Sequence, residues 1–483
     1  MIEDLLLCGL AGAIAARQCG AAFVLDLRQE SVIRTLFDDR VLAVLDTCLR
    51  GCAAVLVTDQ ESAAVLSTLT GVSSRVIVVS DSESGAIAQL LQREFPNGRL
   101  PWTRLQSARQ PVSKPVANGH EITYVRDVLE SGWWGYGPVA QALERWFCEH
   151  VKAGGALALT NCTAALHLAL QALNLQPGDE IIVPAITFVS TVMAVTLVGA
   201  TPRFADVDPQ SMNITSGTIA PRLSPRTRAV IAVHYAGVPV DLAAIEHLLR
   251  PRGITLIEDA AHALGASRDG RLAGMGSDFA CFSFAPTKVS AAGSGGVLTF
   301  RDPSLAPRLR RISNVGLAED TFERDQRSDA RGNRVECAGY RYRMDDLNAA
   351  VAYAQVEQLP AKRQSRAKIV SWYRERLRQI PACRLLDVPQ GTDPTWYIFP
   401  VFVPAGFRNH VRQHLAACAI DSSIHYPSMA EQPFYQASAE DTPVSNRAAR
   451  SILSLPLHED LTIEEVGKIC DALADALGSA IWE

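Results

Sequence analysis

No apolar run in the 483-residue chain is long enough to cross a bilayer. The opening MIEDLLLCGLAGAIAA carries Glu3 and Asp4 where a secretory leader would carry basic residues, so it does not read as a signal peptide. Excess charge of one sign is lacking as well. Lys and Arg total 46 against 51 Asp and Glu, a net charge of −5, and without a basic stripe neither nucleic acid nor an anionic membrane is expected as the main partner. The 11 cysteines form no CxxC pair and stand apart in apolar settings such as Leu7-Cys8-Gly9 and Ala280-Cys281-Phe282. Only Cys48 and Cys52 come near a ligand spacing, and no metal is expected there. Scattered thiols of this kind are those of a reducing compartment, so a cytoplasmic protein is expected. Internal repeats and low-complexity tracts are missing too.

What remains is a soluble globular composition over a length that suggests two or three domains. Residues 1 to about 100 alternate strand-like runs, Ala21–Asp26, Val41–Asp46, Ala53–Asp59 and Arg75–Asp81, with helical stretches. That pattern predicts a small, Rossmann-like parallel α/β domain. No glycine-rich fingerprint follows any of these runs, which speaks against a dinucleotide site and leaves regulatory, docking or vestigial roles open. Residues 101–117, with prolines at 101, 111 and 115, read as a linker.

The chemistry gathers between Ile254 and Phe300, ITLIEDAAHALGASRDGRLAGMGSDFACFSFAPTKVSAAGSGGVLTF. The apolar run Ile254–Ile257 ends in Glu258-Asp259 and reads as a buried strand that delivers a carboxylate at its C-terminal end. A second run, Phe279–Phe284, leads through Ala285-Pro286-Thr287 to Lys288, with Gly293-Ser294-Gly295-Gly296 just beyond. A lysine past a buried strand is open to desolvation, which lowers the amine pKa and frees its lone pair for attack on a carbonyl. Taken singly, Asp259 could cap a helix and Lys288 could be a solvated surface residue. Upstream, Leu157–Leu170 reads as strand, turn and helix, and the free backbone amides of such a helix start, with the Thr163 hydroxyl, suit a phosphate.

The blocks EDAAHALGA, SDFACFSFAPTK and GSGG resemble the signature of the DegT/DnrJ/EryC1/StrS sugar aminotransferases, and the resemblance runs from about residue 118 to 483. It implies the fold of the aspartate aminotransferases, type I among pyridoxal 5'-phosphate (PLP) enzymes: a large PLP-binding domain with a mainly parallel sheet over 118–375 and a small C-terminal α+β domain over 376–483. It further implies that Lys288 carries PLP as a Schiff base and that Asp259 pairs with the pyridine nitrogen, which keeps the ring an electron sink. His262 falls where the family contacts the cofactor's phenolic oxygen, and Ser283 where it has a phosphate-binding serine. Phe188, in the loop after Glu180–Pro184, falls over the ring. Cys162 and Thr163 occupy the phosphate turn, with Cys162 replacing the usual glycine.

The segment Gly339–Ala350 resembles the family's GYNYRM stretch, which reaches into the neighbouring subunit's site. Arg341 replaces a common Asn there, and a guanidinium can hold the same phosphate in bidentate fashion. Ser294 replaces a common Glu. The loop Trp133-Trp134-Gly135-Tyr136 either stacks on a sugar or base or packs an interface, and Glu319–Arg334 is expected to be a mobile loop. The resemblance implies an aminotransferase that moves an amino group from glutamate to a keto sugar, usually nucleotide-linked, in a homodimer with shared sites. Three alternatives stand beside it. A cyclitol aminotransferase would use the same motifs. A PLP-dependent sugar dehydratase would have histidine in place of Lys288. A PLP-binding transcription regulator would need a DNA-binding appendage, and none is legible.

Overall fold

The computed structural model describes residues 109–318, 334–435 and 442–479, together with three short strands nearer the N-terminus. The chain divides into two units, Met1–Ala108 and Arg109–Glu483. In the first, β1 (Val24–Asp26), β2 (Ala54–Val57) and β3 (Val76–Val78) form a parallel sheet in the order β1-β2-β3. These strands fall inside three of the four runs read as strands. The fourth, Val41–Asp46, lies outside the described residues, as does nearly all of Glu319–Arg334.

The second unit is built on a seven-stranded sheet in the order β4-β12-β11-β8-β7-β5-β6. Its members are β4 (Gly155–Leu159), β5 (Glu180–Pro184), β6 (Thr201–Ala205), β7 (Thr227–Val233), β8 (Thr255–Asp259), β11 (Phe279–Ser283) and β12 (Gly296–Phe300). Neighbours pair in parallel except at β12, which runs against both β11 and β4. The central strands are apolar along their length because both faces are covered. Four of the five residues of β8 are buried, as are all five of β12. Helices α1 (Glu121–Ser131), α2 (Pro138–Val151), α3 (Cys162–Gln171), α4 (Val189–Leu197) and α5 (Leu242–Leu249) precede β8. After β12 come α6 (Ala306–Ile312), α7 (Asp346–Glu357) and α8 (Leu359–Leu377).

A small antiparallel sheet, β9 (Ser267–Arg268) between β10 (Arg271–Leu272) and β14 (Thr392–Asp393), ties the large-domain region to the C-terminal one. Another contains β13 (Arg384–Leu385), β15 (Phe399–Phe402) and β16 (Ile452–Leu455), accompanied by α9 (Arg408–Ala417), α10 (Pro443–Ser451) and α11 (Ile463–Ser479). Helix α8 is continuous through residues 375 and 376, and its buried Tyr373 stacks on Phe399 with centroids 4.6 Å apart. The described part of the proline-bearing stretch, 109–117, lies along this C-terminal region. Gln110 bridges to Ile420, Leu457 N–H donates to the Val112 carbonyl, and Lys114 pairs with Asp460 at 2.6 Å.

Candidate active site

In parallel strands the chain leaves each strand at the same edge, and side chains placed there converge. That edge receives the loops after β4, β5, β8 and β11. Because β12 is reversed, its beginning lies there too. The turn before α3 meets the start of β12 closely. Asn161 bridges Gly295, Ser294 Oγ donates to the Thr160 carbonyl at 2.6 Å, and a Cβ on Gly296 would stand 2.4 Å from the Asn161 carbonyl carbon. Only glycine fits at 296. Ser294, in place of a carboxylate, therefore fastens the two loops together.

Asp259 ends β8 and is 5% exposed. Its Oδ2 accepts from Thr191 Oγ1 at 2.7 Å and its Oδ1 from the Ala261 amide at 3.2 Å. Burial pushes its carboxyl above the usual range, opposed by the Thr191 hydroxyl, the Ala261 amide, and the charges of Lys288 and His234. A pyridinium beside it would add to that opposition. Lys288 follows a tight turn closed by its own amide on the Ala285 carbonyl. Its Nζ stands 3.9 Å from the centroid of the Tyr397 ring, a cation–π contact. The Tyr397 hydroxyl lies 3.0 Å from Thr287 Oγ1.

His262 stacks on the same Tyr397 ring, with centroids 4.2 Å apart. Its Nε2 is 3.0 Å from the Tyr426 hydroxyl. Burial and the charges of Lys288, His425 and His234 push it well below the usual histidine range, so it is a neutral imidazole. Its Nδ1 is buried and has no hydrogen-bond partner. Burying such an atom unpaired is costly, and the phenolic oxygen of PLP is a fitting partner. The phosphate end is provided for as well. The α3 start leaves the Cys162 and Thr163 amides outside the helix's own ladder, and Thr163 Oγ1 donates to Ser190 Oγ at 2.8 Å. The donor set therefore fits PLP.

Cys162 is buried at the first position of α3, its thiol pushed well up by burial and by Asp259 while Lys288 acts in the opposite direction. Phe188 caps α4, is 53% exposed, and lies 5.8 Å from the Tyr426 ring. Ser283 ends β11 opposite Gly296, and its Oγ accepts from the Ala285 amide at 3.3 Å. Arg341 stands apart from this cluster. Its backbone pairs with Asn314, and its side chain is exposed at the start of a segment that then returns along β4 through Arg343. In the Trp133–Tyr136 loop, Tyr136 turns inward to Glu144 and Arg310 while Trp134 stays 54% exposed.

Sequence reasoning did not single out Tyr397, Tyr426, His425, Thr187 or Thr191. His425 is pushed down to about 4 by burial and by Lys288, and its Nδ1 lies 2.9 Å from Ser454 Oγ. It lines, with Phe188, Tyr426 and Phe434, a largely apolar cavity of about 670 Å³. In the sequence His425 and Tyr426 stand in Ile424-His425-Tyr426-Pro427, a stretch that resembles the family's small C-terminal domain but discloses no role in the site.

The sequence profile of the DegT/DnrJ/EryC1/StrS aminotransferase family matches residues 115–474. The chain belongs to that family. Among solved structures it is similar to the aminotransferase TlmJ of Streptoalloteichus hindustanus, at 32% identity and a TM-score of 0.72 over 77% of this chain and 99% of that one. DesV of S. venezuelae, solved with a ketimine intermediate, is also 32% identical, with a TM-score of 0.68 over 74% and 94%. A putative sugar aminotransferase, Spr1654 of Streptococcus pneumoniae, in a PMP form, is 26% identical with a TM-score of 0.72 over 76% and 99%. Spr1654 has also been solved in a PLP form. The chain is thus a PLP-dependent sugar aminotransferase of the expected fold.

Proposed function

We propose that this enzyme transfers the amino group of glutamate to a nucleotide-linked keto sugar in the cytoplasm, as a homodimer in which each site takes Arg341 from the other subunit. The observation that supports the reading is the meeting of Lys288, Asp259 and His262 at one edge of the sheet, with the orphaned His262 Nδ1 among them. When bound, PLP supplies an aldehyde for the incoming amine and a protonated ring that draws electrons from the substrate carbon.

The protein supplies the rest. With PLP in place, the Lys288 amine would act as the base that takes a proton from the glutamate α-carbon and as the acid that returns it, and would work in the opposite sense on the sugar. Asp259, steadied by Thr191 and Ala261, keeps a proton on the pyridine nitrogen. His262 would orient the ring through its phenolic oxygen, Thr163, Ser283 and the amides at Cys162 and Thr163 would hold the phosphate, and Phe188 would lie over the ring face. The apolar cavity walled by Phe188 and Phe434 suits a flat ring of the acceptor.

The test is an amination screen of 3-keto and 4-keto nucleotide sugars with glutamate, read by mass. A product carrying one amino group in place of the keto oxygen is expected. An intact glutamate half-reaction with no aminated nucleotide sugar would sink the acceptor assignment, and cyclitol ketones in the same screen would then identify the alternative.

A further inference from the structure

Directly after Lys288 the chain turns inward, and Val289, Ser290, Ala291 and Ala292 are all buried. Two helices fasten this stretch from behind. The Ala291 amide donates to Gln355 Oε1 at 3.2 Å, Ser290 Oγ to the Gln355 carbonyl at 3.4 Å, and Lys362 Nζ to the Val289 carbonyl at 3.4 Å. Lys362 Nζ also donates to Gln355 Oε1. The other end of that amide is equally engaged, since Nε2 donates to the Val116 carbonyl at 2.8 Å and to Glu121 Oε1 at 2.5 Å.

An amide side chain has two donor hydrogens and one oxygen that accepts twice, and all four are used here. Gln355 cannot turn without breaking its whole set of bonds. The Glu121 carboxylate is further held by Gln358 Nε2 at 2.7 Å and the Gly119 amide at 2.8 Å. Lys362 and Glu121 are therefore opposite charges, 6% and 4% exposed, that meet through one amide. Buried ionic groups are often no more stabilising than apolar residues of the same size. Stability alone does not explain the arrangement, whereas its grip on the backbone next to Lys288 does.

We propose that Gln355 and Lys362 are positioning residues for Lys288, holding Val289–Ala291 so that the Lys288 amine is presented to the cofactor's aldehyde in a fixed pose. The proposal rests on Lys288 being the residue that captures PLP, a step in which Nζ bonds to the aldehyde carbon and one water leaves. Pre-orientation speeds such a step.

The full-length enzyme is stripped of cofactor, PLP is returned, and the growth of visible absorbance and of visible circular dichroism is followed for wild type, Lys362→Met, Lys362→Arg and Leu377→Ala. Leu377 is a fully buried residue of the same helix and serves as the control for lost stability. Lys362→Met should capture PLP about tenfold more slowly, as expected for a lost charge-assisted bond, and with weaker visible dichroism. Lys362→Arg should restore both, and Leu377→Ala should lower Tm while keeping both. Should Lys362→Met not fold, Lys362→Gln, which keeps a polar group but is too short to reach Val289, takes its place with the same expectation. Wild-type capture rate and dichroism in the folded Lys362 variant, or equal losses in Leu377→Ala, overturn the proposal. Borohydride reduction and peptide mapping of the wild type test the underlying reading separately: a label anywhere but Lys288 removes both.

Discussion

Thr191 donates to Asp259 across 2.7 Å, from the first turns of α4 to the end of β8. With that proton committed, the 2.7 Å contact between Thr191 and Thr187 has Thr187 as donor, so two fully buried hydroxyls form a relay that ends on the carboxylate. Burial raises the Asp259 pKa and Thr191 works against the rise. Thr191→Val removes the opposing bond, and the pKa climbs further. Activity that needs the carboxylate is lost as pH falls through that pKa, so the acid limb of the glutamate half-reaction should move to higher pH, by about one unit for a bond to a charged group. Single-turnover rates across pH measure it, and an unmoved limb would disconnect Thr191 from the site.

Lys288→Ala should abolish both the visible absorbance of bound cofactor and transamination. Tm should stay close to that of the wild type, since the side chain is only half-buried and its main contact is the face of Tyr397. Turnover at the wild-type rate would remove Lys288 from the chemistry.

Asp259→Asn should retain part of the cofactor but slow proton abstraction on the order of a hundredfold, the usual loss when one preorganised electrostatic group is removed. A neutral amide cannot hold the pyridinium proton. Stopped-flow half-reaction rates decide the matter, and unchanged rates would refute the role.

Arg341→Ala should weaken PLP retention roughly ten- to a hundredfold, the loss of one charge-assisted contact, while Tm changes little because the side chain is exposed. Mixing inactive Lys288→Ala chains with Arg341→Ala chains at limiting PLP, where the latter are mostly unloaded, should under subunit exchange regenerate one working site per mixed dimer. No recovery, once exchange is demonstrated, would mean that Arg341 acts within its own chain or not at all.

The residues legible in advance were those that interrupt a pattern. Asp259 follows an apolar run with a charge, Lys288 sits between a buried strand and a glycine cluster, and Thr163 opens a helix directly after a strand. Tyr397, Tyr426 and Thr191 broke no pattern, because an aromatic or β-branched residue in an apolar setting looks the same whether it packs a core or holds a lysine or a carboxylate. Prolines 111 and 115 suggested a loose connector, yet Gln110, Val112 and Lys114 bond to residues more than 300 positions away, and local composition carries no trace of such distant partners. Nor does spacing disclose Gln355 and Lys362, whose relation to Lys288 exists only once α7 and α8 lie behind the loop.

The reversal of β12 bears on how the site is assembled as well as on where it lies. Antiparallel β11 and β12 are joined by the loop Phe284–Gly295 alone, a far shorter closure than the pairing of β12 with β4, whose partners lie more than a hundred residues apart. Short closures cost less chain entropy and form sooner. The hairpin bearing Lys288 can thus be in place early in folding, leaving the phosphate turn after β4 to be delivered to it by the slow, long-range step.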